Sequence, residues 1–196
     1  MSKSPEQIEV EESIDLKDPA LAAFLAWLLP GLGHLYQGRK AKAALFFVCI
    51  LGTFAYGLYL GGNQELGWGR TVFFRWKPEK RLAYLCQVGI GLPAMPALIQ
   101  ANRMNADKQV LWGGFMAPPR RESVDDDGPN ANQPTENELH RVLHRYFELG
   151  TVYTMIAGLL NILAIYDAWA GPVFPEAKDE EEDEEEIEGD AEEETA

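Results

Sequence analysis

Four stretches of this chain contain no Asp, Glu, Lys or Arg: residues 19–38, 43–64, 82–102 and 149–166, which are 20, 22, 21 and 18 residues long. Charged residues make up 24% of the whole sequence, so four gaps of this length do not arise by chance. A helix needs roughly 20 residues to cross a bilayer core of about 30 Å. A long helix at the surface of a soluble domain would carry a polar stripe every three or four residues, and these segments do not. The fold class that follows is an all-α integral membrane protein with about four transmembrane helices.

Net charge does not argue against this. The formal charge of −14 is concentrated at the ends: residues 176–196 hold fourteen acids and one lysine, and residues 1–18 hold six acids and two lysines. The body between them carries fourteen bases and eleven acids. The ends read as acidic disordered tails over 1–18 and 172–196. The acidic start also lacks the basic opening of a cleaved signal, so the first apolar segment reads as a retained anchor.

Between the tails, residues 19–60 read as a transmembrane helical hairpin, 61–81 as an aromatic and basic interfacial loop, and 82–102 as a third transmembrane segment. Residues 103–135 read as a polar loop, 136–149 as an amphipathic helix on the membrane surface, and 150–171 as the fourth transmembrane segment. Trp68, Phe73, Phe74 and Trp76 interleave with Arg70, Arg75 and Lys77, a mixture that suits the headgroup region and argues against nucleic acid as a partner in this setting. Gly89, Gly91, Pro93 and Pro96 should kink or interrupt the third segment. Thr135 and Glu138 form a T-x-x-E capping box that opens the amphipathic helix. Glu136, His140, His144 and Glu148 recur every four residues there. They read as a solvated stripe, with a metal pair as the weaker alternative.

In the fourth segment Gly150, Thr154 and Gly158 are four apart, as are Ala164 and Ala168. Faces of this kind let helices approach closely, within the chain or against a protein partner or second copy. Asn161 is expected to hydrogen-bond to a neighbouring helix, and Asp167 to sit at the membrane rim, where an ionised carboxylate costs far less than at mid-bilayer. These two are the candidate functional polar residues. Cys49 and Cys86 fit neither a metal spacing nor a disulfide. No catalytic, cofactor-binding or metal-binding constellation is assembled, and no cofactor is expected. In a four-span arrangement, eight Lys and Arg fall on the side of the termini and nine on the other, which leaves orientation open.

The stretch "LLPGLGHLYQGRK", Leu28 to Lys40, breaks its own helix with Pro30, Gly31 and Gly33, reaches an interface at His34 and Tyr36, turns at Gly38 and ends on Arg39 and Lys40. It reads as the lip of a hairpin, in which Gly33 and Gly38 hold the backbone and His34 makes only a hydrogen bond at a wet interface. This lip resembles that of the two-transmembrane hairpin domain family. With "GTVYTMIAGLLNILAIYDAWAGP", Gly150 to Pro172, the chain is also similar to small uncharacterised polytopic membrane proteins of planctomycete bacteria. The resemblance implies a four-segment protein of a bacterial inner membrane with no established activity. The expected role is a non-enzymatic scaffold or accessory subunit. A small transporter or channel component, and last a membrane enzyme using His34 or the pair His140 and His144, are the alternatives.

Overall fold

The computed structural model describes residues 17–75, 83–120 and 128–171, and among these it contains seven α-helices, three short 3-10 turns and no strand. The helices are α1 (Pro19–Leu28), α2 (Leu32–Tyr36), α3 (Lys40–Leu60), α4 (Ala83–Gln87), α5 (Met95–Asn105), α6 (Glu136–Leu143) and α7 (Arg145–Ala170). The expected tails, apart from Lys17 and Asp18, lie outside the described residues, as do Trp76, Lys77 and residues 121–127.

Two helices are long and apolar enough to cross a membrane. α3 has 21 residues and a mean hydropathy of 2.0, and α7 has 26 residues and a mean hydropathy of 1.7. They run antiparallel and form the spine of the fold, where Gly57 of α3 packs on Gly150 and Thr154 of α7. α3 begins at the lip and ends at the 61–75 loop, so the bundle has a lip end and a loop end.

The other two apolar segments do not form single long helices. α1 has ten residues and α5 eleven, about 15 and 17 Å of helix. Asp18 starts α1, its Oδ1 accepting from Ala20 N at 2.9 Å and Leu21 N at 3.4 Å. Pro30 stops it, because the residue before a proline is pushed to extended angles, and Leu29 has φ −148° and ψ 128°. Gly31, at φ +83°, then turns the chain with its Cα against the Ala43 carbonyl, where a side chain would collide. α2 returns along α1, and Lys17 Nζ donates to Tyr36 O at 3.1 Å. Residues 19–36 are therefore a half-length hairpin that enters and leaves at the lip end.

The third segment is a second half-length hairpin from the opposite end. α4 leads in, 3-10 turns at Val88–Ile90 and Leu92–Ala94 flank Gly91, and α5 leads back out. Tyr84 OH donates across it to Ala94 O at 3.0 Å. At the outer end of α5, Gln100 Nε2 donates to Leu111 O at 2.7 Å and Phe115 O at 2.9 Å. The expected interruption by glycine and proline is present, and it reverses the chain rather than kinking it.

The loop end is a folded layer. Residues 103–120 and 128–135, expected as a polar loop, are tied together by Asn130, whose Oδ1 accepts from Val110 N at 2.9 Å and whose Nδ2 donates to Lys108 O at 3.1 Å. Arg70 and Phe73, expected in the headgroup region, are buried in protein instead, at 4% and 1% exposure. The Arg70 guanidinium donates to Leu66 O, Gly114 O and Gln133 Oε1, each at 2.7 Å, and burial pushes its pKa down to about 10, which leaves it charged at neutral pH. The N-cap half of the capping box is present, with Thr135 Oγ1 accepting from Glu138 N at 3.2 Å. The helix expected over 136–149 is broken, however. His144 takes φ +48°, α6 stops at Leu143, and residues 145–149 belong to α7. Its apolar residues Leu139, Leu143 and Phe147 pack on Leu66 and Phe73 of the loop and not on a free surface.

Candidate functional site

The small residues of α7 are placed on one buried face, which explains how three elements crowd against it. Gly150, Thr154, Ala157, Gly158, Asn161, Ala164 and Ala168 are all buried, against α3, α4 and α1 of the same chain. The stripe read as a face for close approach is thus used inside the molecule. Gly158 lies on the Cys86 carbonyl, and Gly89 on Ile162. Cys86 and Cys49 are both free.

Asn161 sits where the two hairpins meet. Its Nδ2 donates to Ala26 O at 3.1 Å and to Gly89 O at 2.9 Å, one carbonyl from near the tip of each hairpin. Residues near an interrupted helix end leave carbonyls without an intrahelical partner, and Asn161 supplies donors for two of them. Tip to tip, Gly91 at φ +82° presses on the Trp27 carbonyl. Counted at 1.5 Å per residue, Asn161 is about 16 Å from Gly150 and about 14 Å from Ala170, so the junction is at mid-height. Nearer the loop end, the buried Gln87 repeats the device, its Nε2 donating to Thr154 Oγ1 at 2.8 Å and Thr71 O at 3.2 Å. Gln87 is a polar residue inside a charge-free stretch, a visible signal that the sequence reading passed over. Asn161 Oδ1 and Gln87 Oε1 are buried without a hydrogen-bond partner among the described residues.

At the lip end, Asp167 gathers the cations. Its Oδ2 accepts from His34 Nε2 at 2.7 Å and lies 3.4 Å from Arg39 Nη1, and its Oδ1 accepts from Lys42 Nζ at 2.8 Å. The pairing has an electrostatic reason. Asp167 occupies the last turn of α7, where the helix dipole disfavours an anion, and Arg39, Lys40 and Lys42 occupy the start of α3, where it disfavours cations. Antiparallel packing sets those two ends side by side, and each unfavourable charge is offset by the other. Gln37 Nε2 adds a bond to Ala168 O at 2.7 Å.

Most of the predicted lip residues thus converge. Pro30 and Gly31 make the hairpin tip, Gly33 packs α2 on Ala22 and Ala26, and Tyr36 holds Lys17 over its ring at 5.4 Å. Gly38, at φ +87°, turns in open space, and Arg39 begins α3. His34 departs from expectation. It is not at a wet interface but fully buried, its ring 4.7 Å from that of Phe46. Lys42, just beyond the lip stretch, is the best-bonded cation of the group, turned onto Asp167. His140 and His144 do not share a continuous helix, because of the break at His144, and His140 packs on the Phe147 ring at 4.8 Å. No group of three potential metal ligands occurs among the described residues.

The model of a family of unknown function, DUF6677, matches residues 21–181, and the chain belongs to that family. No curated protein matches, and no solved structure does.

Proposed function

We propose that this member of DUF6677 is an integral membrane protein, of a bacterial inner membrane, that works by association as a non-enzymatic scaffold or accessory subunit. The observation that carries the reading is where the interior polar side chains go. Asn161, Gln87 and His34 each fasten one helix or hairpin to another, so their chemistry is directed to architecture.

The outer faces support the membrane location. Leu45, Val48, Tyr56 and Tyr59 of α3 are 49–67% exposed, and Val152, Leu159, Leu163, Tyr166 and Trp169 of α7 are 46–71% exposed. Such a girdle suits acyl chains and is costly in water. The topology proposed is two spanning helices, α3 and α7, with re-entrant hairpins entering from opposite leaflets. Irregular backbone at that depth is tolerated because it is enclosed by protein.

This topology also orients the chain. Among the described residues, Lys17, Arg39, Lys40 and Lys42 lie at the lip end. Arg70, Arg75, Arg103, Lys108, Arg120, Arg141 and Arg145 lie at the loop end. Seven against four favours a cytoplasmic loop end. Single-cysteine labelling at residues 38 and 113 in intact cells tests it, with only the first reached from outside.

For the function itself, the full chain should remain in the membrane pellet after alkaline carbonate washing. It should also purify in mild detergent as a homo-oligomer or with one stoichiometric partner. A strictly monomeric, partner-free protein overturns the associative role. One observation favours a small transporter as a second reading: the opposed hairpins bury acceptors without a partner among the described residues, Asn161 Oδ1 at mid-height and Gln87 Oε1 nearer the loop end. Monovalent-cation flux into proteoliposomes, abolished by Asn161→Leu, would select it.

A further inference from the structure

We infer that the lip binds the phosphate of an anionic phospholipid, an inference that rests on the membrane reading above. Asp167 does not exhaust the cations gathered around it. Lys42 and His34 take its two oxygens at 2.8 and 2.7 Å, while Arg39 reaches it only at 3.4 Å. The Arg39 side chain is 11% exposed, and its Nε is buried with no partner among the described residues. A guanidinium has five donors in a planar fork. The buried Nε is out of an outside ligand's reach, so what Arg39 can offer an oxyanion is its Nη donors, which hold only one long contact.

Three further features converge on the same spot. Lys40 is exposed next to Arg39, and its ammonium makes no hydrogen bond or ion pair among the described residues. α3 opens there without a side-chain cap and without an acid in its first turn, so its own residues do nothing to offset its positive end. Gly38 has nothing within 4 Å of where a side chain would start, which leaves the approach open. Counting Lys17, Arg39, Lys40 and Lys42 against Asp18 and Asp167, with His34 neutral, the lip carries +2.

The choice of a lipid over a soluble phosphate comes from what lies beside the cations. Leu35, Leu45 and Phe24 are 51%, 58% and 54% exposed on α2, α3 and α1, the three elements that converge on the lip. A headgroup phosphate on Arg39 and Lys40 would lay its acyl chains on this apolar skirt. A free anion would gain nothing from it.

The test uses the full chain reconstituted in nanodiscs of phosphatidylcholine with a minority of phosphatidylglycerol, with retained lipids counted by native mass spectrometry. Phosphatidylglycerol should be enriched over its bulk share. Lys40→Gln should cut that enrichment about fivefold, the effect of one cation near a charged surface, and Lys40→Arg should keep it. Lys40 touches no structural partner, so this variant folds. Arg39→Gln should lower the enrichment further. Retained lipid at the bulk ratio, or enrichment unchanged in Lys40→Gln and Arg39→Gln, overturns the inference and leaves the membrane reading standing. Inorganic phosphate that binds the lipid-free protein and displaces phosphatidylglycerol overturns the lipid as the source. A chain that fails to enter the nanodisc overturns the membrane reading itself.

Discussion

Replacing Asn161 by leucine tests the junction on which both hairpins depend. The two side chains have the same number of heavy atoms, but the methyl groups of leucine are bulkier than an amide, so overpacking adds to the hydrogen-bond loss, which sets the lower bound. Two bonds are lost, to Ala26 O at 3.1 Å and Gly89 O at 2.9 Å, in a site with no solvent exposure. Hydrogen bonds between helices in a membrane protein average ~0.6 kcal/mol and reach ~1.7 kcal/mol. Two of them give about 1–3 kcal/mol, and loss of the unpaired Oδ1 offsets part of this, so a cost of at least about 1–2 kcal/mol is expected. Unfolding of the purified protein by SDS titration, followed by tryptophan fluorescence, measures the loss. Alkylation of Cys86 reports where it acts, since its carbonyl packs on Gly158 one turn from Asn161 and should loosen with the hairpin. Cys49 is exposed on α3 and serves as the internal reference. Asn161→Asp should be worse, because a carboxylate would face two carbonyl oxygens. Unchanged stability together with unchanged Cys86 labelling would show that packing alone holds the hairpins, and the account of Asn161 given above would be wrong.

Other substitutions separate the parts of the fold. Gly91→Ala should cost about 3 kcal/mol or more in the same titration, since its φ is +82° and its Cβ collides with the Trp27 carbonyl. Gly38→Ala, at φ +87° in open space, should cost only about 1–2 kcal/mol, whereas Gly33, wedged on Ala22, should tolerate nothing larger. His34→Ala should lower the thermal midpoint clearly, by about 2 kcal/mol of stability, because it empties a buried site and removes a bond to Asp167. Arg70→Met should expose residues 103–120 and 128–135 to limited proteolysis, at a cost of about 3 kcal/mol, by orphaning the carbonyls of Leu66 and Gly114. Equal protease resistance in Arg70→Met and the parent would deny Arg70 its place at the centre of that layer.

The long apolar helices were legible because charge avoidance is a local property, visible without knowing any contact. Direction is not local. A charge-free stretch of 20 residues fits one spanning helix or two half-length helices folded back, and the residue count is the same. The difference is written in Pro30 with Gly31 and in Gly91 with Pro93, which by sequence alone read as a lip and as a kink or interruption. Whether such residues bend a helix or reverse it depends on what receives the tip. Here that is Asn161, 135 residues from Ala26. The His34–Asp167 bond was hidden for the same reason, since each residue was visible but their separation of 133 carries no signal of contact. The break at His144 was obscured by a four-residue periodicity that runs through it from Glu136 to Glu148.

The meeting of both hairpin tips on α7 has a consequence for assembly in time. α7 is the last described helix, so the first hairpin is made long before the donor that secures its tip exists. At about 5–20 residues per second of synthesis, the 135 residues between Ala26 and Asn161 correspond to about 7–27 s of waiting. During that interval the carbonyl of Ala26 and the buried His34 both lack their native partners, and an insertion factor or chaperone would find its substrate there. A chain stalled before residue 150 should be the species such a factor holds, and release should come with α7.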